Sequence, residues 1–328
     1  MKPYTYALLA AAAACGLAAA ETAYTTPVGY ETLSASAGFN YLGLRLHEPT
    51  VAAGTVDTIN ATTMTDAAVN FGTVLTGGAA TTYIVEFKNN SGVIQEITGA
   101  SASGNSITLV QNITASVSAG AEYRIRKAAT LASVFGAANS VGLTPGFSGS
   151  SGADVVYIPD GAGGFGQYYY DEDNASWSDA TNGLPVTAAS VPIVYPDGII
   201  LFANASETIT VTGEVKTFET LHAVLPNFNY LSSVYPAGAT LASAFNGAIP
   251  SLNPGFSGSS GADVIYVPDG LGNFGQYYYD EDNASWSDAN SGLPVTATSI
   301  SLSSGIIFFN AGSAKNLLNQ EPASYSTL

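Results

Sequence analysis

Apolar and polar residues alternate with a period of two through most of this chain, in short runs broken by glycine, asparagine and serine. Thr82-Tyr-Ile-Val-Glu-Phe-Lys88, then Asn89-Asn-Ser-Gly92, then Val93-Ile-Gln-Glu-Ile-Thr98 reads as strand, tight turn, strand. Ser106 to Val110 continues the pattern, and Glu122 to Arg126 sets Tyr123 and Ile125 against Glu122, Arg124 and Arg126. Apolar stripes at helical spacing are scarce. The ATLAS stretches, Ala129–Ser133 and Ala239–Ser243, are the places where a short helix is expected. Short strands with turn signals between them predict an all-β chain of sandwich or small-barrel type.

The pattern is stated twice. Pro145–Thr187 returns as Pro254–Thr296 at a constant offset of 109, with 37 of 43 positions identical. Flanking pieces recur in the same order. Glu31-Thr-Leu33 with Phe39-Asn-Tyr-Leu42 returns as Glu219-Thr-Leu221 with Phe228-Asn-Tyr-Leu231, and Gly198-Ile-Ile-Leu-Phe202 returns as Gly305-Ile-Ile-Phe-Phe309. An internal duplication follows: two homologous β-sandwich or barrel-like halves, at about 21–212 and 213–312, with a polar tail at 313–328. Residues 50–127 have no counterpart in the second half and read as an inserted β subdomain.

The best-preserved unit is rich in tyrosine. Asp154–Pro159, Phe165–Asp171 and Ser176–Ser178 form an expected three-stranded meander, with turns at Asp160-Gly-Ala-Gly-Gly164 and Glu172-Asp-Asn-Ala175. Along the middle strand, Phe165, Gln167 and Tyr169 share one face, and Tyr168 and Tyr170 the other. One row serves a core and the other lies nearer solvent, where flat rings can stack on sugars. The candidate platform is Tyr168, Tyr170 and Trp177, with Tyr277, Tyr279 and Trp286 in the second copy; the competing reading is cross-strand packing.

The turn that follows is acidic. Asp171, Asp173, Asn174 and Asp179, and in the second copy Asp280, Asp282, Asn283 and Asp288, invite calcium, which takes clustered oxygen ligands. The spacing departs from an EF-hand, since Ala175, Ser176 and Asn182 stand where a ligand, a glycine and a bidentate glutamate belong. Asx turns, in which such side chains bond local backbone amides, account for the same residues. No other cofactor is implied.

Catalytic motifs are weak. His47 and His222 have no counterparts in the opposite half and read as surface or edge histidines. Gly146-Phe-Ser148-Gly-Ser150 resembles a nucleophile elbow without its final glycine. Carboxylates abound, but nothing in the sequence sets two of them across a groove, as glycoside hydrolysis requires.

Charge and leader narrow the partners. The formal net charge is −17 with eight Lys and Arg, which disfavours nucleic acid and anionic lipid. Residues 1–20 read as an export signal: Lys2, an apolar run over Tyr6–Leu17, and Ala18-Ala-Ala20 before Glu21. The run is too short for a transmembrane span. Cys15, the single cysteine, sits in a degenerate lipoprotein box, and plain secretion is the better match. A chain without further cysteine has no disulfide to hold it and must rely on core burial.

TTPVGYETL, GFNYLGLRLHEPTVAAGTV, YRIRKAATLASVFG, ADVVYIP and QYYYDEDNASW together resemble a family of exported β-rich bacterial proteins, of the kind found in Verrucomicrobia. That resemblance implies export and a β-rich fold and brings no activity. The expectation is therefore a secreted or cell-surface structural or adhesive protein that acts by binding, without catalysis. The alternatives are a glycan-binding module with paired tyrosine platforms and a polysaccharide hydrolase. Extracellular polysaccharide, a cell-surface component or a second copy of the chain are the partners this reading allows.

Overall fold

The computed structural model of the protein describes residues 27–88, 91–270, 272–302 and 305–327. The expected leader, with Cys15, lies outside the described residues. The chain is mostly antiparallel β-structure. Its frame is a pair of five-stranded sheets with the same strand order. In the first, Gly38–Gly43 pairs with Gly198–Ala203, followed by Val155–Pro159, Phe165–Asp171 and Ser176–Asp179. In the second, Asn227–Ser232 pairs with Gly305–Asn310, followed by Val264–Pro268, Phe274–Asp280 and Ser285–Asp288. The tyrosine-rich unit is thus a meander at the edge of each sheet, in matching register: Tyr170 lies opposite Trp177, and Tyr279 opposite Trp286.

The halves are not separate bodies. Leu42, Val156 and Leu201 from one sheet share a single apolar core with Leu231, Ile265 and Phe308 from the other. Where the sheets meet, the chain is glycine. A Cβ on Gly305 would stand 2.8 Å from the Tyr41 carbonyl carbon, and one on Gly198 3.0 Å from the Leu231 oxygen. Side chains there would hold the two backbones apart.

Each ATLAS stretch is a single helical turn, Leu131–Phe135 and Leu241–Phe245. Thr130 and Thr240 cap them by accepting the Ser133 and Ser243 amides, and both serines reach back to close a capping box. The leucine and phenylalanine of each turn, Leu131, Phe135, Leu241 and Phe245, then point into the shared core.

Residues 50–127 carry two four-stranded sheets around their own apolar cluster, which includes Met64, Phe71, Tyr83, Phe87 and Ile125. The expected polar tail is corrected. Lys315–Asn319 is a strand paired with Thr220–Val224, and Leu317 and Tyr325 are buried in the main core. Period-two alternation of Asn316, Leu317 and Leu318 carries one leucine inward, a pattern too short to stand out in a polar stretch.

Where the insert meets the body, the structure buries charge. Arg126, 1% exposed, bonds both Glu86 oxygens at 3.0 and 3.1 Å, Glu214 at 3.3 Å and the Glu48 carbonyl at 2.7 Å. Lys216 donates to the Phe218 and Glu219 carbonyls at 3.2 and 2.9 Å. Burial brings its ammonium down to about 7. His47 and His222 are buried in the same region, so their expected surface or edge placement is corrected. His47 packs on the Tyr195 ring with Nε2 3.2 Å from the Val234 carbonyl, and His222 Nε2 lies 3.1 Å from the Asn319 amide. Burial, with Arg126 close by, lowers His47 to about 3, and burial lowers His222 to about 4.

Candidate functional site

Alternation decides which rings face out. The inner face of each meander carries Tyr168, Tyr170 and Trp177, or Tyr277, Tyr279 and Trp286, all packed in or against the core. Trp177 is 1% exposed and donates Nε1–H to the Gly136 carbonyl at 2.8 Å; Trp286 is 4% exposed and donates to Asn246 Oδ1 at 3.0 Å. Each meets its tyrosine edge-on, Tyr170 at 5.9 Å and Tyr279 at 5.8 Å. Of the platform expected from the sequence, Tyr170, Trp177 and Trp286 are buried, both indoles finding their hydrogen-bond partner and cross-strand ring inside the sheet, while Tyr168, Tyr277 and Tyr279 are half-buried against the core.

The outer faces hold the site. Phe39 and Tyr41 project outward from one opening strand, and Phe228 and Tyr230 from the other. At the joint, Tyr41 and Tyr230 stack with centroids 5.9 Å apart and planes 5° from parallel. Phe274 meets Tyr41 edge-on at 5.2 Å, and Phe165 meets Tyr230 the same way at 5.1 Å. From Phe165 the contacts continue through Tyr157 and Phe39 to Phe202, and from Phe274 through Tyr266 and Phe228 to Phe309. The result is one unbroken run of rings across both sheets, two-fold symmetric in its contacts. Phe39 and Phe228 are the most open, at 60% and 55% exposed. Tilted, stacked and edge-to-face neighbours hold the rings in the run, so their free faces are presented at little entropic cost.

Tyr169 and Tyr278 also lie on this face but are covered. The loop beginning Pro145-Gly146 crosses over Tyr169, and a Cβ at Gly146 would stand 2.8 Å from that ring. Gly255 does the same to Tyr278. In that loop Ser148 and Ser257 adopt positive φ and donate Oγ–H to Asp173 and Asp282 at 3.3 Å. Both histidines pack elsewhere, so the elbow-like serines have no imidazole beside them.

The acidic turns are closed by their own amides. Asp171 accepts from the Asp173 and Asn174 amides and from the Asn174 side chain, and Asp173 accepts from the Ser148 amide. Asp179 accepts from Thr181 and Asn182. In the second copy Asp280 bonds Asn283, Asp282 bonds Ser257, and Asp288 bonds Asn290 and Ser291. These bonds hold Asp171, Asp280 and Asp288 below the usual carboxylate range, the Asn174 and Asn283 side chains leading for the first two and the Ser291 amide for the third. Among the described residues no group of three or more His, Cys, Asp or Glu converges on a point that could hold a metal ion.

Three rings of the run, Phe165 and Tyr230 at the joint and Phe228 beyond it, line a cleft of about 950 Å³, walled by the insert strand Ile94–Thr98, the meander turn and the second half's opening strand. Glu96 and Asp197 both line it. Burial, then the charge of Glu96, pushes Asp197 up to about 7, and burial also raises Glu96. Sequence reasoning missed this site, although a signal was present: the Phe-Asn-Tyr-Leu repeat spaces two rings on one face of a strand, twice.

Comparison with protein-family models, with characterised proteins and with solved structures finds no match to this chain. Among the described residues no helix is long and apolar enough to cross a membrane.

Proposed function

We propose that the protein is an exported adhesive protein that acts by binding, and that it holds an extracellular polysaccharide along the outer aromatic run. The observation that carries this reading is the continuity of the run. Rings from both halves contact one another across the joint, with Phe39 and Phe228 open at equivalent places. A row of fixed rings suits a polymer, because successive sugars stack on successive faces and weak contacts add on one chain. The net charge of −17 favours neutral over acidic polysaccharides.

Affinity electrophoresis through gels cast with soluble neutral polysaccharides tests it. Phe39→Ala with Phe228→Ala should weaken retardation by about 10- to 30-fold, given about 1 kcal/mol per stacked ring. Unchanged retardation, or none for the unaltered protein, refutes it.

A second reading, self-association into a surface layer, is favoured by the matched exposed pairs Phe147 with Phe256 and Leu184 with Leu293. It requires concentration-dependent sedimentation that Phe147→Ser with Phe256→Ser abolishes.

A further inference from the structure

The aromatic run is two-fold symmetric, but the chain around it is not. Only the first half carries the insert, and the insert strand Ile94–Thr98 shares a cleft with Phe165, Tyr230 and Phe228 of the run. Phe228, Tyr230 and Phe165 line the resulting cleft; their counterparts Phe39, Tyr41 and Phe274 are not among its lining residues. Two ring platforms of the same design, both exposed, thus differ in their neighbours: the cleft's polar wall stands beside Phe228 and not beside Phe39.

The wall is chemically distinct from the rings. It adds planar amides, Gln111 and Asn112 from the insert and Asn316 from the C-terminal strand, and the carboxyl groups of Glu96 and Asp197. Amides and carboxyl groups beside aromatic faces are the set that hydrogen-bonds the hydroxyl edge of a sugar while a ring covers its apolar face. The volume, about 950 Å³, lies near the top of the roughly 300–1,000 Å³ range of small-molecule clefts, room for a few sugar rings. Lys315, the basic side chain in the lining, is held by Asp263 at 2.6 Å. With Glu96 in the wall and Lys315 already paired, the cleft disfavours uronates and sulfate esters.

We propose that this cleft is the selective subsite of the glycan surface, which rests on the glycan reading of the aromatic run, and that it encloses a short stretch of a neutral glycan chain. The platform at Phe39 then supplies affinity for a long polymer, and the platform at Phe228, beside the polar wall, supplies recognition. Asp197, pushed up to about 7 by burial and then by Glu96, is shared between its acid and carboxylate forms near neutral pH and so can donate to or accept from a sugar hydroxyl.

The molecule contains its own control, because Phe39 and Phe228 are equivalent, exposed and differ only in the insert. Isothermal titration calorimetry of the full chain would use β-1,4-linked hexasaccharides of glucose, mannose and N-acetylglucosamine, with hexagalacturonate as the anionic probe. At least one neutral hexasaccharide should bind at a stoichiometry of one. Phe228→Ala should weaken it by about tenfold or more, Phe39→Ala by less than about twofold, and hexagalacturonate should give no heat. Equal losses in the two variants, a stoichiometry of two, or binding of hexagalacturonate would overturn the proposal. Retardation by polymer without binding of any hexasaccharide removes the cleft and leaves the aromatic run standing. Loss of both removes both.

Discussion

Arg126 is the most informative single residue to perturb in the fold. It leaves the insert strand Glu122–Lys127 on the face opposite Tyr123 and Ile125 and spans to the body of the protein. Arg126→Met keeps most of the volume and removes the cation. Glu86, 0% exposed, then loses its two bonds at 3.0 and 3.1 Å, and Glu214 loses one at 3.3 Å. In the native protein burial pushes the Glu86 carboxyl up, but Arg126 and Lys216 together outweigh it and hold the carboxyl well below its ordinary range. Breaking a buried pair by removing one partner costs about 3–5 kcal/mol, because the other charge stays buried and unpaired. With a urea dependence of about 3 kcal/mol per molar, the unfolding midpoint should fall by about 1–1.7 M. Adding Glu86→Leu removes the stranded carboxylate, so the double variant should recover at least half of that loss. Urea unfolding of the native protein, both single variants and the double at pH 7, followed by tryptophan fluorescence, reads the difference. A single variant that loses under about 1 kcal/mol, or a double variant as poor as the sum of its parts, would refute the assignment of a desolvated charge network.

Acid should weaken the protein through its histidines. His47 and His222 are neutral in the fold down to about pH 3 and 4, whereas an unfolded histidine protonates near 6.5. Above pH 6.5 they contribute no pH dependence. Below it the unfolded state binds the extra protons, so stability falls by about 1.4 kcal/mol per pH unit for each histidine. Denaturation at pH 7, 5.5 and 4.5 checks this, and a slope unchanged in His47→Gln with His222→Gln would contradict it. Lys216 acts in a higher window: its folded value of about 7 lies below the unfolded value near 10.4, so its contribution makes stability rise between those limits. Replacing Trp177 by Ala should cost about 3–5 kcal/mol while leaving polysaccharide affinity of the folded fraction unchanged. Reduced affinity at full folding would return that ring to the binding surface.

The period-two alternation and the 43-residue repeat determine a great deal without any coordinates. The β class, the meanders and the single-turn ATLAS helices follow from local rules, since strand pairing and capping act over a few residues. Alternation also sorts Tyr168 and Tyr170 from Phe165 and Tyr169. It cannot say which row faces water, because that depends on what covers each face. The shared core claims the even row, and the loop at Gly146 covers Tyr169 on the odd one. Contacts between distant segments decide the rest. Tyr41 against Tyr230, the burial of Arg126 in an alternating strand, the inward turn of both histidines and the cleft at Asp197 all arise where the insert and the two halves meet. No local pattern encodes that meeting, since its energetics lie in desolvation and ring packing between residues far apart along the chain.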